Sequence, residues 1–110
     1  MSAQESIQNL IDKFHRRMQS DEAARAEVEP VKKTFNIDLG TESYSMRLEN
    51  ACISEFAPGM TADADVTLVT TPESLQGLID GTLRPMRAYI TKKIAVKGHI
   101  QDLLFLKKLF

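Results

Sequence analysis

The residues of this 110-residue chain that could act as nucleophiles or bases are few and far apart. Cys52 is the only cysteine, and the two histidines are His15 and His99. A Cys–His nucleophilic pair requires hydrogen-bond contact, which this spacing does not indicate. Cys52 lies in a strand-like segment, where a lone cysteine is typically a small buried hydrophobic residue. We therefore predict no catalytic residues and no enzymatic activity.

Metal and phosphate sites also lack their usual signatures. Asp63 and Asp65 lie in one loop without the remaining ligands of a calcium site. One cysteine provides neither a disulfide nor a thiolate metal site, and no glycine-rich phosphate loop is present. The sequence predicts a protein without metal or cofactor. A lone cysteine and an N-terminus unlike a signal peptide are typical of a cytoplasmic protein.

Charge is distributed unevenly along the chain, although the formal net charge is only -1. Residues 1–83 carry 7 basic and 14 acidic residues, whereas residues 84–110 carry 7 basic residues and a single acidic one. Hydrophobic residues make up 43% and charged residues 26%, which is typical of one globular domain over residues 1–110. The basic end predicts contact with an anionic partner.

Periodicity predicts an α+β fold. Apolar residues recur at helical spacing near the N-terminus, at Ile7, Leu10, Ile11, Phe14 and Met18. The predicted helices cover residues 3–19, 22–28, 72–80, 85–90 and 100–110. Alternating segments predict strands over residues 31–39, 44–49, 51–56, 65–70 and 92–98. This order favours helices segregated against a mostly antiparallel sheet.

The predicted last helix has an unusual composition. Seven of its eleven positions are apolar and spread around most of its circumference, namely Ile100, Leu103, Leu104, Phe105, Leu106, Leu109 and Phe110. A surface helix needs only an apolar stripe about 100° wide. This helix is therefore expected to be buried on both flanks, to associate with another chain, or to cover an apolar site.

Three stretches occur in a characteristic order, namely Ala64–Leu68, the Pro72-Glu73-Ser74-Leu75 helix that runs to Gly81, and Ala88–Gly98. Together they resemble the sterol carrier protein type 2 domain family of nonspecific lipid-binding proteins, over nearly the whole chain. Lys92 stands where that family usually has glycine, and His99 stands where Asp or Asn usually caps the last helix. The resemblance implies a five-stranded sheet covered by helices on one face, with an apolar tunnel for acyl chains, isoprenoids, sterols or similar lipids.

The resemblance also implies which residues form the ligand wall. The residues predicted to bind ligand are Met86, Tyr89, Ile90, Leu103, Leu104, Leu106, Phe35, Met46, Leu68, Leu75 and Ile79. Further apolar residues on the predicted strands and helices are also candidates to line the tunnel, namely Ile37, Tyr44, Leu48, Phe56, Val66, Leu78, Ile94 and Val96. We expect the last helix to contribute most, because it has more apolar surface than packing requires.

The basic residues suggest where an anionic group would bind. Contact with a head group or an anionic membrane surface is predicted for Arg84, Arg87, Lys92, Lys93 and Lys97. A nucleic acid is not predicted as a partner, because no interleaved aromatic residues or glycines mark a base-stacking platform. The alternative function is an interaction or homodimerisation module that uses the same apolar groove without lipid.

A permanently open tunnel is energetically unfavourable. A rigid empty cavity of about 300 Å³ costs on the order of 7 kcal/mol, against a total stability of about 5–15 kcal/mol for such a domain. We therefore expect the last helix to close over a partly collapsed site and to move when ligand enters.

Overall fold

The computed structural model describes residues 2–108 of the chain. In chain order the elements are α1 (Ala3–Ser20), α2 (Glu22–Val28), β1 (Lys33–Asp38), β2 (Ser43–Glu49), β3 (Cys52–Pro58), β4 (Val66–Val69), α3 (Pro72–Asp80), α4 (Pro85–Ile90), β5 (Ala95–Lys97) and α5 (Ile100–Lys107). The predicted order of helices and strands is confirmed. Leu109 and Phe110 of the predicted last helix lie outside the described residues.

The five strands form one mixed sheet in the order β3-β2-β1-β4-β5. Three of the neighbouring pairs are antiparallel, and the central pair of β1 and β4 is parallel. The predicted mostly antiparallel α+β fold is thus confirmed, with one parallel pair that local patterns do not predict. Parallel strands need a long crossover connection, which here contains β2, β3 and the loop before β4.

The strand register gives the sheet one apolar face. Phe35 lies opposite Met46 and Val66, and Leu68 lies opposite Ile37. Residues opposite each other, or two apart on one strand, point to the same side of a sheet. The apolar residues of α1, α3 and α5 pack against this side and form one core with it.

The other face of the sheet is polar, and the loop between β3 and β4 packs against it. Asn36 is buried there, although the alternating pattern predicts a solvent-facing position. Its side-chain amide donates a hydrogen bond to the Thr61 carbonyl oxygen at 2.9 Å, and its Oδ1 accepts one from the Thr61 N–H at 2.9 Å. Both ends of the amide are therefore satisfied, which makes its burial tolerable.

Strand β3 is an edge strand that is tied to α1. The Ile53 N–H donates a hydrogen bond to Nε2 of His15 at 3.0 Å, so this nitrogen acts as an acceptor. Cys52 is exposed, because it lies on the polar side of the sheet next to Ile53. The prediction of a buried cysteine is wrong for this reason. The strand extends to Pro58, beyond the predicted end at residue 56, since an edge strand tolerates proline.

Strand β5 is shorter than the predicted segment 92–98. The residues before it complete a turn at the end of α4, in which the Lys93 N–H donates to the Ala88 carbonyl oxygen at 2.8 Å. Lys92 has a φ of 64°, in the left-handed region that glycine adopts most easily. The glycine that is usual at this position in the resembled family would adopt this turn most easily, and the lysine here adopts it as well.

Candidate functional site

An apolar cavity of about 90 Å³ lies between the apolar face of the sheet and the helices that cover it. The side chains that line it are Ile7, Leu10, Ile11, Ile37, Met46, Leu68, Leu75, Leu78, Ile79, Pro85, Leu103, Leu106 and Lys107. All of these except Lys107 are apolar. The surface that they offer suits the hydrophobic part of a ligand, because it contains almost no group that could bind a polar one.

Helix α3 forms one wall of the cavity, and its ends are set by local sequence. The hydroxyl of Thr71 caps it by accepting a hydrogen bond from the Ser74 N–H at 3.1 Å, and Pro72 occupies the first turn. Gly81 ends the helix with a φ of 82°. Between these ends, the apolar stripe that contains Leu75 and Ile79 faces the sheet.

Helix α5 contributes Leu103, Leu106 and Lys107 to another part of the wall. Leu106 is its one buried residue within the described range. Leu103 also lines the cavity but is only partly buried. The N-cap of α5 is weak, because the His99 side chain makes no capping hydrogen bond where Asp or Asn would supply one.

Polar contacts hold α5 against the rest of the molecule. Near its N-terminus, Lys33 Nζ lies 3.2 Å from Asp102 Oδ2. At the other end, Lys108 Nζ lies 2.9 Å from Glu27 Oε1, and Arg17 Nη1 donates to the Lys108 carbonyl oxygen at 3.0 Å. These groups are partly or largely exposed, so each contact stabilises the closed position only weakly.

The structure brings six of the eleven predicted ligand residues together. The cavity is lined by Met46, Leu68, Leu75, Ile79, Leu103 and Leu106. Phe35 is buried in the core beside it, and Leu104 is half-buried on α5 outside the lining.

Three further predicted residues lie elsewhere than in the cavity wall. Met86, Tyr89 and Ile90 are 43%, 42% and 70% exposed on α4. This short helix turns Ala88 toward the core, so that its large apolar residues face outward. The first residue of the same helix, Pro85, does line the cavity.

Sequence reasoning missed the contribution of α1 to the cavity. Ile7, Leu10 and Ile11 lie on the helical stripe that the sequence predicts, but an apolar stripe of this kind is equally typical of ordinary core packing. No sequence pattern around Pro85 or Lys107 indicates that either residue lines a cavity. The proximity of α1 to α3 and α5 depends on strand order, which local periodicity does not reveal.

A comparison with known families decides the identification. The profile of the SCP-2 sterol transfer family matches residues 11–110. The chain belongs to this family. The match covers every element that lines the cavity except the first part of α1, and the family and fold support binding or transfer of sterols or other lipids in general.

Solved structures confirm the SCP-2 fold. UbiJ-SCP2, a ubiquinone synthesis protein, is 19% identical with a TM-score of 0.70, over 94% of this chain and 84% of that one. The palmitated SCP2L2 of Aedes aegypti is 21% identical with a TM-score of 0.63, over 99% of this chain and 94% of that one.

The same fold also occurs within a larger enzyme. The sec-alkylsulfatase Pisa1 from a Pseudomonas species is 18% identical with a TM-score of 0.71, over 78% of this chain, which spans only 14% of the sulfatase. No curated protein sequence matches the chain significantly.

The cavity is small for a ligand site. Its volume of about 90 Å³ is less than a third of the roughly 300 Å³ at which ligand pockets begin. An empty space of this size costs about 2 kcal/mol, which a domain of this length tolerates. A lipid would need a larger space than this, and the expected closure of the last helix over the site stays a prediction.

Within residues 2–108, the groups whose pKa is shifted lie away from the cavity. A hydrogen bond from the Tyr44 hydroxyl to Glu42 raises the pKa of Tyr44, and a hydrogen bond from Arg47 lowers the pKa of Glu49.

The same range, residues 2–108, contains no group of His, Cys, Asp and Glu residues that could hold a metal ion. Within it, every helix is too short or too polar to cross a membrane.

The five predicted anion-binding residues are all exposed. Arg84 lies just before α4, Arg87 lies on it and Lys92 follows it. Lys97 lies on the edge strand β5, on the polar side of the sheet. Lys93 borders a polar groove whose walls include Glu73 and Asp80.

Proposed function

We propose that the chain acts as one lipid-binding domain that holds a single hydrophobic ligand in the cavity and performs no catalytic step. The observation that carries this proposal is the apolar lining, contributed jointly by the sheet, α1, α3 and α5. Membership of the SCP-2 sterol transfer family supports a lipid as the ligand. The palmitated state of a protein with this fold supports an acyl chain, and the apolar lining would also suit an isoprenoid or a similar lipid.

Ligand entry requires the cavity to expand, and α5 is the element best suited to move. It is held by partly exposed ion pairs and contributes only two apolar residues, Leu103 and Leu106, to the wall. Helices α1 and α3 are anchored by more buried residues and by side-chain caps. We propose that α5 swings outward about the segment that joins it to β5 and closes over the bound ligand.

The second candidate function is an interaction module in which α5 packs on another chain. The observation that favours it is the partial exposure of Ile100 and Leu104 on α5, neither of which packs against the core. A protein partner or a second copy would cover these residues without any cargo. This function predicts an assembly that depends on α5 and a cavity that stays empty.

Weakening the closed position of α5 should speed ligand entry. Asp102→Asn removes the ion pair with Lys33, whose side chains are 27% and 34% exposed respectively. Such a pair contributes under about 1 kcal/mol, so we expect the association rate of a fluorescent fatty acid to rise about threefold. Stopped-flow fluorescence measures this rate directly.

Two further variants make the test specific. Lys33→Gln breaks the same ion pair without altering α5 and should give the same acceleration. Lys32→Gln removes a pair with Glu49 on the sheet, 3.6 Å long, and should leave the rate unchanged. Equal rates in all three variants and the wild type would contradict gating by α5.

A further inference from the structure

Helix α4 presents an apolar face to solvent. Met86, Tyr89 and Ile90, which are 43%, 42% and 70% exposed, are three and four residues apart, so they share one side of the helix. Ala88 is fully buried and fixes the opposite side to the core. Among residues 2–108, the other large hydrophobic residue that is exposed is Met60, in the loop after β3. Three of four such residues thus lie on one six-residue helix.

Basic side chains border this face. Arg84, Arg87 and Lys92 are exposed, and none of them forms an ion pair within residues 2–108. The stretch from residue 81 to residue 101 contains no Asp or Glu. The positive charge beside the apolar face is therefore not neutralised by neighbours in sequence. We define the α4 patch as Arg84, Met86, Arg87, Tyr89, Ile90 and Lys92.

We propose that the α4 patch docks on an anionic phospholipid bilayer. Interfacial binding combines apolar side chains that enter the boundary of the acyl chains with cations that meet lipid phosphates. The α4 patch offers both on one short helix. A nucleic acid would use the arginines but would leave Met86 and Ile90 in water. A second copy of the same patch would set like charges against each other.

The position of the α4 patch also favours a bilayer over an acidic protein. Pro85, the first residue of α4, lines the cavity, while Met86 next to it faces solvent. A docked α4 would place the cavity wall against the membrane, so that a lipid could pass between them without crossing water. This choice of partner rests on the proposed function, whereas the docking itself does not require cargo.

Vesicle flotation of the full chain tests the proposal with lipids of defined composition. We expect binding to phosphatidylcholine vesicles that contain 30 mol% phosphatidylserine, and at least tenfold weaker binding to phosphatidylcholine alone. Each basic residue near an anionic surface contributes about a fivefold change in affinity, so Arg84→Gln with Arg87→Gln should weaken binding about 30-fold. Met86→Ser with Ile90→Ser should weaken it about tenfold or more.

Matched variants outside the α4 patch test whether binding depends on this patch or only on the overall charge and hydrophobicity of the protein. Lys13→Gln with Arg16→Gln removes two exposed charges from α1, and Met60→Ser removes an exposed apolar side chain from a loop. Both should bind vesicles like the wild type. Absence of wild-type binding, or equal loss in patch and control variants, would overturn the proposal. So would a dimer in gel filtration that Met86→Ser with Ile90→Ser disperses, since this would assign the patch to a second copy.

The assay also separates docking from cargo binding. Vesicle binding is measured without added cargo, so a protein that fails to bind fatty acid can still support docking. A protein that binds fatty acid but no vesicle would overturn docking alone and leave the proposed function intact.

Discussion

An Ile79→Trp variant is expected to lose about 100-fold or more in affinity for palmitate while it remains folded. Ile79 is half-buried and lines the cavity, so an indole ring at this position extends into the space that the ligand needs. Exclusion of only four methylene groups at about 0.8 kcal/mol each accounts for a loss of this size. Overpacking a cavity of about 90 Å³ costs about 1–3 kcal/mol, which leaves the domain folded.

The chain contains no tryptophan, which makes this experiment easy to interpret. Blue-shifted emission of the introduced indole would show that it occupies an apolar environment, and isothermal calorimetry with palmitate would give the affinity. Lys13→Trp, on the exposed side of α1, is the control and should bind palmitate like the wild type. Unchanged affinity in Ile79→Trp, with a buried indole, would show that ligand binds elsewhere.

A Gly98→Ala variant is expected to lose about 3–4 kcal/mol of stability. Gly98 joins β5 to α5 with a φ of 110°, a conformation that residues with a side chain rarely adopt. A Cβ at this position would lie 2.5 Å from the backbone oxygen of Asp65, so one of the two segments must shift. Strain and overpacking cost about 1–3 kcal/mol each, and the melting temperature should fall by about 15–25 °C.

Gly40→Ala separates the cost of backbone strain from the cost of overpacking. Gly40 has a φ of 83° in the turn between β1 and β2, but a Cβ there would meet nothing within 4 Å. This variant should lose only about 1 kcal/mol, from backbone strain alone. Thermal unfolding followed by circular dichroism compares the two. Equal losses would mean that the close approach to Asp65 does not restrain the segment that joins β5 to α5.

The helices and strands could be predicted from sequence because their signals are local. The spacing of Ile7 and Ile11, the cap at Thr71 and the stop at Gly81 each depend on a few neighbouring residues. The parallel pairing of β1 with β4 depends on segments about 30 residues apart, and no local pattern encodes it. The burial of Asn36 follows from the same long-range arrangement, since its partner Thr61 lies in a distant loop.

The cavity wall was only partly predictable for a related reason. Periodicity shows that Leu75 and Ile79 share a helical stripe, but it does not show which element covers that stripe. The same ambiguity placed Met86, Tyr89 and Ile90 in the predicted wall, whereas the structure turns them to solvent. A six-residue helix has room to bury one side only, and the small Ala88 permits the close approach to the core.

Native mass spectrometry of the purified protein, before and after addition of palmitate, tests the central claim most directly. The account predicts a monomer that carries one lipid-sized ligand per chain, and Ile79→Trp should abolish this adduct. A ligand-free dimer that dissociates when residues 101–110 are deleted would contradict it. So would a lipid adduct that persists unchanged in Ile79→Trp.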